Sequence, residues 1–274
     1  MAKTINLDFE LYDKQKEFVD STFKYTGFVS GIGAGKTFSG AVKSLIAGVQ
    51  TKGMGLIVAP TYSMLNDSTL RTLRQVAGNA ITSFNRSEKR GTFVGGGEFI
   101  CRSADNPEHL RGPNISWIWL DEAQLIDREA WLICEGRLRE GIRQAWATFT
   151  PNGKTHWTYN VFGKDDARHK LVHAETIENI WLPPDYIEAL YASYTGSFAD
   201  QELRGSFVDP EGTLFQRSWF MRIRPSELPL GLNWVRGWDL ALTEEDAGDA
   251  KKRKKPDRTA SVRGAVDPMG NIYI

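Results

Sequence analysis

The chain has 274 residues, 41% of them hydrophobic and 25% charged, with 34 basic side chains against 34 acidic ones. That is enough apolar material to bury a sizeable core, in one large domain or in one domain with part of another. A formal charge of zero excludes a global basic field as the means of holding nucleic acid and leaves that task to local patches.

Cys101 and Cys134 form no C-x-x-C pair and point to a reducing cytoplasm rather than a disulfide scaffold. No run of about 18 apolar residues predicts a membrane span. Asp8 and Glu10 near the start, with no apolar stretch beside them, predict no signal peptide. Most of the nine tryptophans are expected in the core.

Residues 11–22, LYDKQKEFVDST, read as a short helix with Phe18 and Val19 facing inward. Tyr12 and Gln15 stand just before a glycine-rich turn, at the distance where many DNA-translocating ATPases keep an adenine contact. Glutamine can pair with both edges of adenine, and tyrosine can stack on it. A surface helix with two polar residues explains the same letters.

The stretch 28–37, FVSGIGAGKT, carries the main chemistry. An apolar strand runs into Gly31, Gly33 and Gly35, and Lys36 and Thr37 then open a helix. Glycines admit positive φ and close backbone approach, and successive N–H groups line an anion nest at a helix N-terminus. The expected cradle is Ser30, Gly31, Ile32, Gly33, Ala34, Gly35, Lys36 and Thr37. Lys36 would reach the β- and γ-phosphates, and the Thr37 hydroxyl would sit on Mg2+. In the pattern G-x-x-x-x-G-K-[ST] the first glycine falls on Ser30, a residue small enough for the turn.

Phe38, Ala41, Val42, Leu45 and Val49 then recur at helical spacing, and Thr51-Lys52-Gly53 ends that helix. GLIVAP (55–60) suits a buried parallel strand, and 61–77 reads as a helix with Leu70, Leu73 and Ala77 on one face. Strand, helix, strand, helix predicts an α/β domain with a parallel sheet. GTFVGGGEFICRS (91–103) predicts a hairpin through Gly95-Gly96-Gly97.

SWIWLDEAQ (116–124) places Asp121 and Glu122 at the end of a buried strand, the edge at which α/β sheets bind ligands. Asp121 would hold Mg2+ through water, and Glu122 would position and deprotonate the attacking water. Asp127 is expected to cap a helix over 128–139. AWATFT (145–150) is a further strand, ended by Pro151-Asn152-Gly153, and its Thr148 and Thr150 could touch the γ-phosphate. A plain strand with a turn explains those letters equally.

After residue 154 the pattern loosens. Pro183-Pro184 starts a helix with Ile187, Leu190, Tyr191 and Tyr194 at helical spacing, and 201–215 is loop-like, so 176–220 reads as a small subdomain leaning on the nucleotide site. NWVRGWDLAL (233–242) is an apolar strand interrupted by Asp239, and a buried acid there calls for a metal or a partner. TEEDAGDAKKRKKPD (243–257) is polar, and its run Lys251 to Lys255 either meets a phosphate backbone or is a solvated loop. TASVRGAV and NIYI alternate like two antiparallel strands around Asp267 to Gly270.

Taken together, Gln15, GIGAGKT, VAPT, HLRG (109–112), WLDEAQ, TPNG, LRGSFVDPEGTLF and GWDLA resemble, in order, the large terminase subunit of tailed bacteriophages. The resemblance covers nearly the whole chain. It implies a P-loop NTPase core of the RecA-like (ASCE) type over residues 1–175, a linker or lid subdomain over 176–230, and over 231–274 the first strands of an RNase H-like nuclease. It implies ATP and Mg2+ as ligands, and ATP-driven movement of double-stranded viral DNA into procapsids. The implied partners are the portal protein, the small terminase subunit and further copies of the chain in a homo-oligomeric ring, in the host bacterial cytoplasm and away from any membrane. Arg111 is similar to the position that lends an arginine finger to the neighbouring subunit's ATP, with Arg137, Arg139 and Arg143 as rivals. Many relatives carry an arginine where this loop has Ile32, which shifts the weight to Arg111. Thr150, Pro151 and Asn152 resemble the family's coupling motif. Asp239 matches a ligand of the nuclease's Mg2+ or Mn2+. The further acids of that site lie beyond Ile274, so this stretch alone is not expected to cut DNA, and it reads as a fragment. Two other classes compete: a helicase or repair ATPase, which would call for a second RecA-like domain, and a silent nucleotide-binding assembly subunit, which would call for a damaged Lys36, Asp121 or Glu122.

Overall fold

A computed structural model of the chain describes residues 8–112, 114–208, 220–240 and 259–274. The chain divides into two compact units, Met1–Gly212 and Thr213–Ile274, a division that falls inside the segment read as a linker.

The first unit is built on an eight-stranded sheet. Its strands are β1 (Tyr25–Ser30), β2 (Met54–Ala59), β3 (Ile81–Asn85), β4 (Arg90–Phe93), β5 (Glu98–Ser103), β6 (Trp117–Asp121), β7 (Gln144–Phe149) and β8 (His169–Ala174). Their order across the sheet is β3-β4-β5-β2-β6-β7-β1-β8. The six strands from β5 to β8 pair in parallel, and β3 and β4 add an antiparallel edge. Neighbouring residues of a strand face opposite ways, and the sequence loads both faces. Phe28, Trp117, Trp119 and Trp146 join one apolar core, while Val29, Ile118, Leu120, Ala145 and Ala147 join another. The first core is covered by α1 (Asp13–Asp20), α2 (Lys36–Gln50) and α4 (Leu70–Ala77), through Phe18, Val42, Leu45, Leu70 and Leu73. The second is covered by α5 (Arg128–Glu135) and α6 (Trp157–Phe162), through Ala130, Trp131 and Phe162. Five of the tryptophans, at 117, 119, 131, 146 and 157, are buried as expected.

Helix α1 is tied to α2 by a buried cation. Lys43 Nζ donates to the carbonyls of Phe18 (3.2 Å), Val19 (3.0 Å) and Ser21 at the C-terminal end of α1. The carbonyls at a helix C-terminus run short of helical partners, and a lysine there also meets the negative end of the helix dipole.

Several boundaries differ from expectation. The helix read over 61–77 is interrupted. After α3 (Tyr62–Met64) comes a π-helical turn, Leu65–Thr69, before α4. Strand β3 was not anticipated, because its exposure pattern carries no apolar alternation. Helix α5 ends at Glu135 instead of 139, since the chain turns at Gly136 to pair with 115: Ile115 N donates to Arg137 O at 2.9 Å. Helices α7 (Pro184–Ser193) and α8 (Gly196–Glu202) form beyond the sheet, and the residues read at helical spacing, Ile187, Leu190, Tyr191 and Tyr194, are half-buried while the rest of α7 is exposed. Residues 209–215 of the loop-like stretch, the run Lys251 to Lys255 and Asp257 lie outside the described residues. Among the described residues no helix is long and apolar enough to cross a membrane.

The second unit holds a three-stranded antiparallel sheet, β9 (Val235–Asp239), β10 (Ala260–Val266) and β11 (Ile272–Tyr273), with β10 in the middle. The turn between β10 and β11 is organised by Asp267, whose carboxylate accepts from Met269 N, Asn271 N, Asn271 Nδ2 and Tyr273 Oη. Asp239 does not interrupt a buried strand. It is the exposed last residue of β9, opposite Ala260, where a carboxylate keeps its solvation and needs no partner.

Gly40 lets α2 lie against the strand that carries the two acids, since a Cβ there would overlap the Trp119 indole. Gly40→Ala is expected to destabilise the chain by about 1–3 kcal/mol despite alanine's better helix propensity. Urea unfolding checks this, and a variant as stable as the parent would show that the contact is slack.

Candidate nucleotide site

The loop between β1 and α2 turns through positive φ at Gly33 (73°) and Gly35 (77°). Its carbonyls are each held from outside the turn. Lys36 Nζ donates to Ser30 O at 3.2 Å and to Gly31 O at 2.8 Å. Thr176 Oγ1 donates to Ile32 O at 2.7 Å, Asn179 Nδ2 to Gly33 O at 2.6 Å, and Tyr12 Oη to Ala34 O at 2.7 Å. A peptide is planar, so a carbonyl pinned on one side turns the next N–H to the other. The amides of Gly33, Ala34 and Gly35 are thereby aimed away from these partners, as an anion nest requires. Ile32 N is the exception and donates to Glu202 O at 2.6 Å.

Lys36 is buried among these groups. Burial holds its pKa below the usual lysine range, against the pull of the Glu122, Asp121 and Glu202 carboxylates. Gln15 is also buried, with its amide packed against Gly35, so the α1 residues are part of the loop's support rather than of a surface helix.

Strand β6 brings the acids to the same place. Asp121 is fully buried and accepts three hydroxyls: Thr37 Oγ1 to Oδ1 at 3.1 Å, Thr148 Oγ1 to Oδ1 at 2.8 Å and Thr69 Oγ1 to Oδ2 at 2.7 Å. Burial, reinforced by the neighbouring Glu122 charge, pushes its pKa up to about 6, against the opposing effect of the three hydroxyls. For Thr148 the sequence left open a contact with the γ-phosphate or a plain strand position. It is buried between Asp121 and Trp119 Nε1, which donates to it at 2.9 Å.

Glu122 adopts left-handed backbone (φ 49°, ψ 46°), a conformation rare for a residue with a Cβ. This turns the chain at the strand end, so that two consecutive acids serve one side. Gln124 Nε2 donates to Glu122 Oε2 at 2.7 Å, and Gln124 Oε1 accepts Thr150 N at 3.3 Å. One amide side chain thus links the acid to the strand-end segment Thr150-Pro151-Asn152. A cavity of about 660 Å3 is lined by Lys36, Thr37, Glu122, Gln124 and all three of those residues.

Arg111 is not among the lining residues. It is exposed, ion-paired with Glu108 at 2.7 Å, and near enough to Glu129 to feel its charge. Of its rivals, Arg137 donates to Gly112 O and Arg139 to Gly136 O, each at 2.7 Å.

Sequence reasoning missed Thr69, Gln124, Thr176, Asn179 and Glu202. Thr69 reaches Asp121 from the end of the π-helical turn, a type of irregularity that frequents functional sites and leaves no periodic signal. Gln124 was visible only as the last letter of WLDEAQ. Thr176 and Asn179 follow β8 with no pattern to set them apart.

The profile of the family described as terminase large subunit, T4likevirus-type, N-terminal, matches residues 28–222, more than half of the chain. The chain belongs to the terminase large-subunit family. A curated relative, the PBSX phage terminase large subunit of Bacillus subtilis (strain 168), is 26% identical in an alignment of length 218 that covers 69% of this chain and 49% of the relative. The chain therefore spans about half the length of that terminase. The large terminase of a thermophilic bacteriophage, solved in complex with ADP, superposes with a TM-score of 0.64 at 17% identity, covering 73% of this chain and 54% of the other. The ATPase domain of the Thermus phage P74-26 large terminase gives 0.60 at 22% identity, covering 73% and 95%. At these identities the superpositions establish the shared α/β fold.

In the terminase chain free of nucleotide and metal, the raised Asp121 pKa favours the folded state at low pH. That contribution is fully present below the ordinary carboxylate pKa and is lost as pH rises through about 6. Asp121→Asn is therefore expected to gain roughly 2 kcal/mol over the parent at pH 8 and little at pH 4. Thermal unfolding in a chelating buffer at the two pH values checks this, and an equal effect at both would contradict it.

Proposed function

We propose that this chain is the ATPase of a DNA-packaging motor, which binds ATP with Mg2+ and uses its hydrolysis to drive double-stranded viral DNA into procapsids. The observation that carries the proposal is the 3.1 Å contact between Thr37, in the first turn of the helix that follows the β1 loop, and Asp121 on β6, two strands from β1. A hydroxyl and a carboxylate converging beside an amide nest suit a hard cation shared with phosphate oxygens. Thr37 and Asp121 would hold the Mg2+, which when bound neutralises charge on the phosphates.

The protein's own groups divide the remaining work. Lys36 exchanges the Ser30 and Gly31 carbonyls for the β- and γ-phosphates. Glu122, oriented by Gln124, takes the proton of the attacking water. Tyr12 and Gln15 serve the adenine side, a role supported by the buried Gln15 Oε1, which has no hydrogen-bond partner among the described residues. Through Gln124, loss of the γ-phosphate at Glu122 is felt at Thr150, Pro151 and Asn152, the segment proposed to couple hydrolysis to DNA movement. Arg111, exposed and outside the cavity of its own chain, would serve a neighbouring copy in a homo-oligomeric ring, where a guanidinium spreads its donors over the transferring phosphoryl group.

The ring would sit on the portal protein, with the small terminase subunit as a second partner, in the host bacterial cytoplasm. The second unit is proposed as the opening strands of an RNase H-like nuclease. Among the described residues no group of three His, Cys, Asp or Glu could hold a metal, so Asp239 would be a ligand only with acids supplied from elsewhere. No cleavage step is assigned to this stretch.

Glu122→Gln is expected to retain ATP binding while turnover falls by about 100-fold or more, and Lys36→Ala to lose binding or turnover. Steady-state ATPase assays beside equilibrium nucleotide binding check both, and normal turnover by Glu122→Gln would remove its assignment as base. Mixing Arg111→Ala with Lys36→Ala should recover part of the activity, because each supplies what the other lacks. An active Arg111→Ala with no recovery on mixing would move the finger to another arginine.

A further inference from the structure

Between β8 and α7 the chain crosses the back of the phosphate loop. Thr176 is fully buried and Asn179 nearly so, and each spends a side-chain donor on a loop carbonyl: Thr176 Oγ1 on Ile32 O at 2.7 Å and Asn179 Nδ2 on Gly33 O at 2.6 Å. These two carbonyls belong to the peptides that carry the amides of Gly33 and Ala34. The crossing segment is itself braced. Thr176 N donates to Leu203 O at 2.8 Å, Asn179 N to Thr176 O at 3.2 Å, and Trp181 N to Asn179 Oδ1 at 3.2 Å. The approach is close enough that a Cβ on Gly31 would collide with Thr176 Oγ1 and with the carbonyls of Glu202 and Leu203.

We propose that Thr176 and Asn179 are positioning residues for nucleotide binding, which set the direction of the loop's amides by pinning the opposite ends of the same peptides. Neither lines the cavity, so they act through the loop rather than on the nucleotide. The chemistry singles them out. The loop has positive-φ glycines on both sides of Ala34, where the backbone has the most freedom, and among the described residues the hydrogen bonds to the Ile32 and Gly33 carbonyls come from Thr176 and Asn179. A flipped peptide would present a carbonyl where a phosphate oxygen needs an N–H. The two side-chain donors make that flip unfavourable before ligand arrives, and preorganisation of this kind appears as affinity. The proposal rests on the loop being the nucleotide site.

The test is nucleotide binding, measured by titrating ADP and Mg2+ and by steady-state ATPase kinetics, on a panel that separates the hydrogen bonds from packing. Thr176→Val removes the donor at near-constant volume, and Thr176→Ser restores it. Asn179→Asp keeps the oxygen that holds Trp181 N but turns the nitrogen facing Gly33 O into an acceptor. The expected result is a rise of roughly 10-fold or more in Kd and KM for Thr176→Val and for Asn179→Asp, with kcat at saturation within about 3-fold and near-parental affinity for Thr176→Ser. Unfolding temperatures within a few degrees of the parent establish that the variants fold. Should Asn179→Asp unfold, Asn179→Ser, a shorter neutral side chain that still offers a donor, is expected to show an intermediate Kd.

Lys36→Ala serves as the reference. If the parent binds ADP and Lys36→Ala does not, while Thr176→Val and Asn179→Asp bind like the parent, the positioning role is overturned and the site assignment stands. If Thr176→Ser is as impaired as Thr176→Val, the effect is one of packing and the proposal fails. If the parent itself does not bind, the underlying site assignment fails first.

Discussion

A carboxylate taken wholly out of water and held by three threonine hydroxyls is the constraint around which the site is arranged. Asp121 receives one hydroxyl from the helix after the phosphate loop, one from the π-helical turn before α4, and one from the strand that separates β6 from β1. Three segments from distant parts of the chain therefore have to be in register for one side chain to be satisfied. The desolvation that raises its pKa is what makes the proposed cation favourable there, since a buried carboxylate gains most where a positive charge replaces the lost water.

The loop opposite solves the complementary problem. An anion nest is a set of N–H groups with no partner in the protein, and such groups tend to be satisfied by collapse of the turn upon itself. Here the carbonyls are occupied first, by Lys36, Thr176, Asn179 and Tyr12, which come from three separate segments of the chain. Helix α1 reaches the loop through Tyr12 and Gln15, and Lys43 fixes its far end to α2. The two halves of the site are thus held by different parts of the fold. Among the described residues, the hydrogen bond that links the loop-bearing helix directly to Asp121 is that from Thr37.

Most of the sheet could be read from the letters because buried parallel strands are short apolar runs, and each such run here ends in a turn or a chemically distinctive residue. GLIVAP, WIWLD and AWATF all became strands of the predicted kind. The convergence of Lys36, Thr37, Asp121 and Glu122 on one place was also foreshadowed by their spacing, and the structure brings them together. What the letters concealed was the support. Thr148 could be read as a contact for phosphate because it sits at a strand end, but the side of the strand decides, and its side faces Asp121. Thr69 depends on one extra residue in a helical turn. Thr176 and Asn179 depend on where a loop crosses, which is a tertiary fact with no local periodicity. Asp239 was read as buried because its neighbours are apolar, whereas β9 leaves every one of its residues exposed.

The central claim is that a triphosphate and its metal lie between the lysine-bearing loop and the paired acids. It is tested most directly by a crystal structure of the chain with Mn2+ and a non-hydrolysable ATP analogue, with the metal located from its anomalous signal. The account predicts one strong anomalous peak in contact with the Thr37 hydroxyl, close to the Asp121 carboxylate, with the terminal phosphate in the cavity that Glu122 lines. A nucleotide bound elsewhere on the chain, or a metal that avoids both residues, would contradict it.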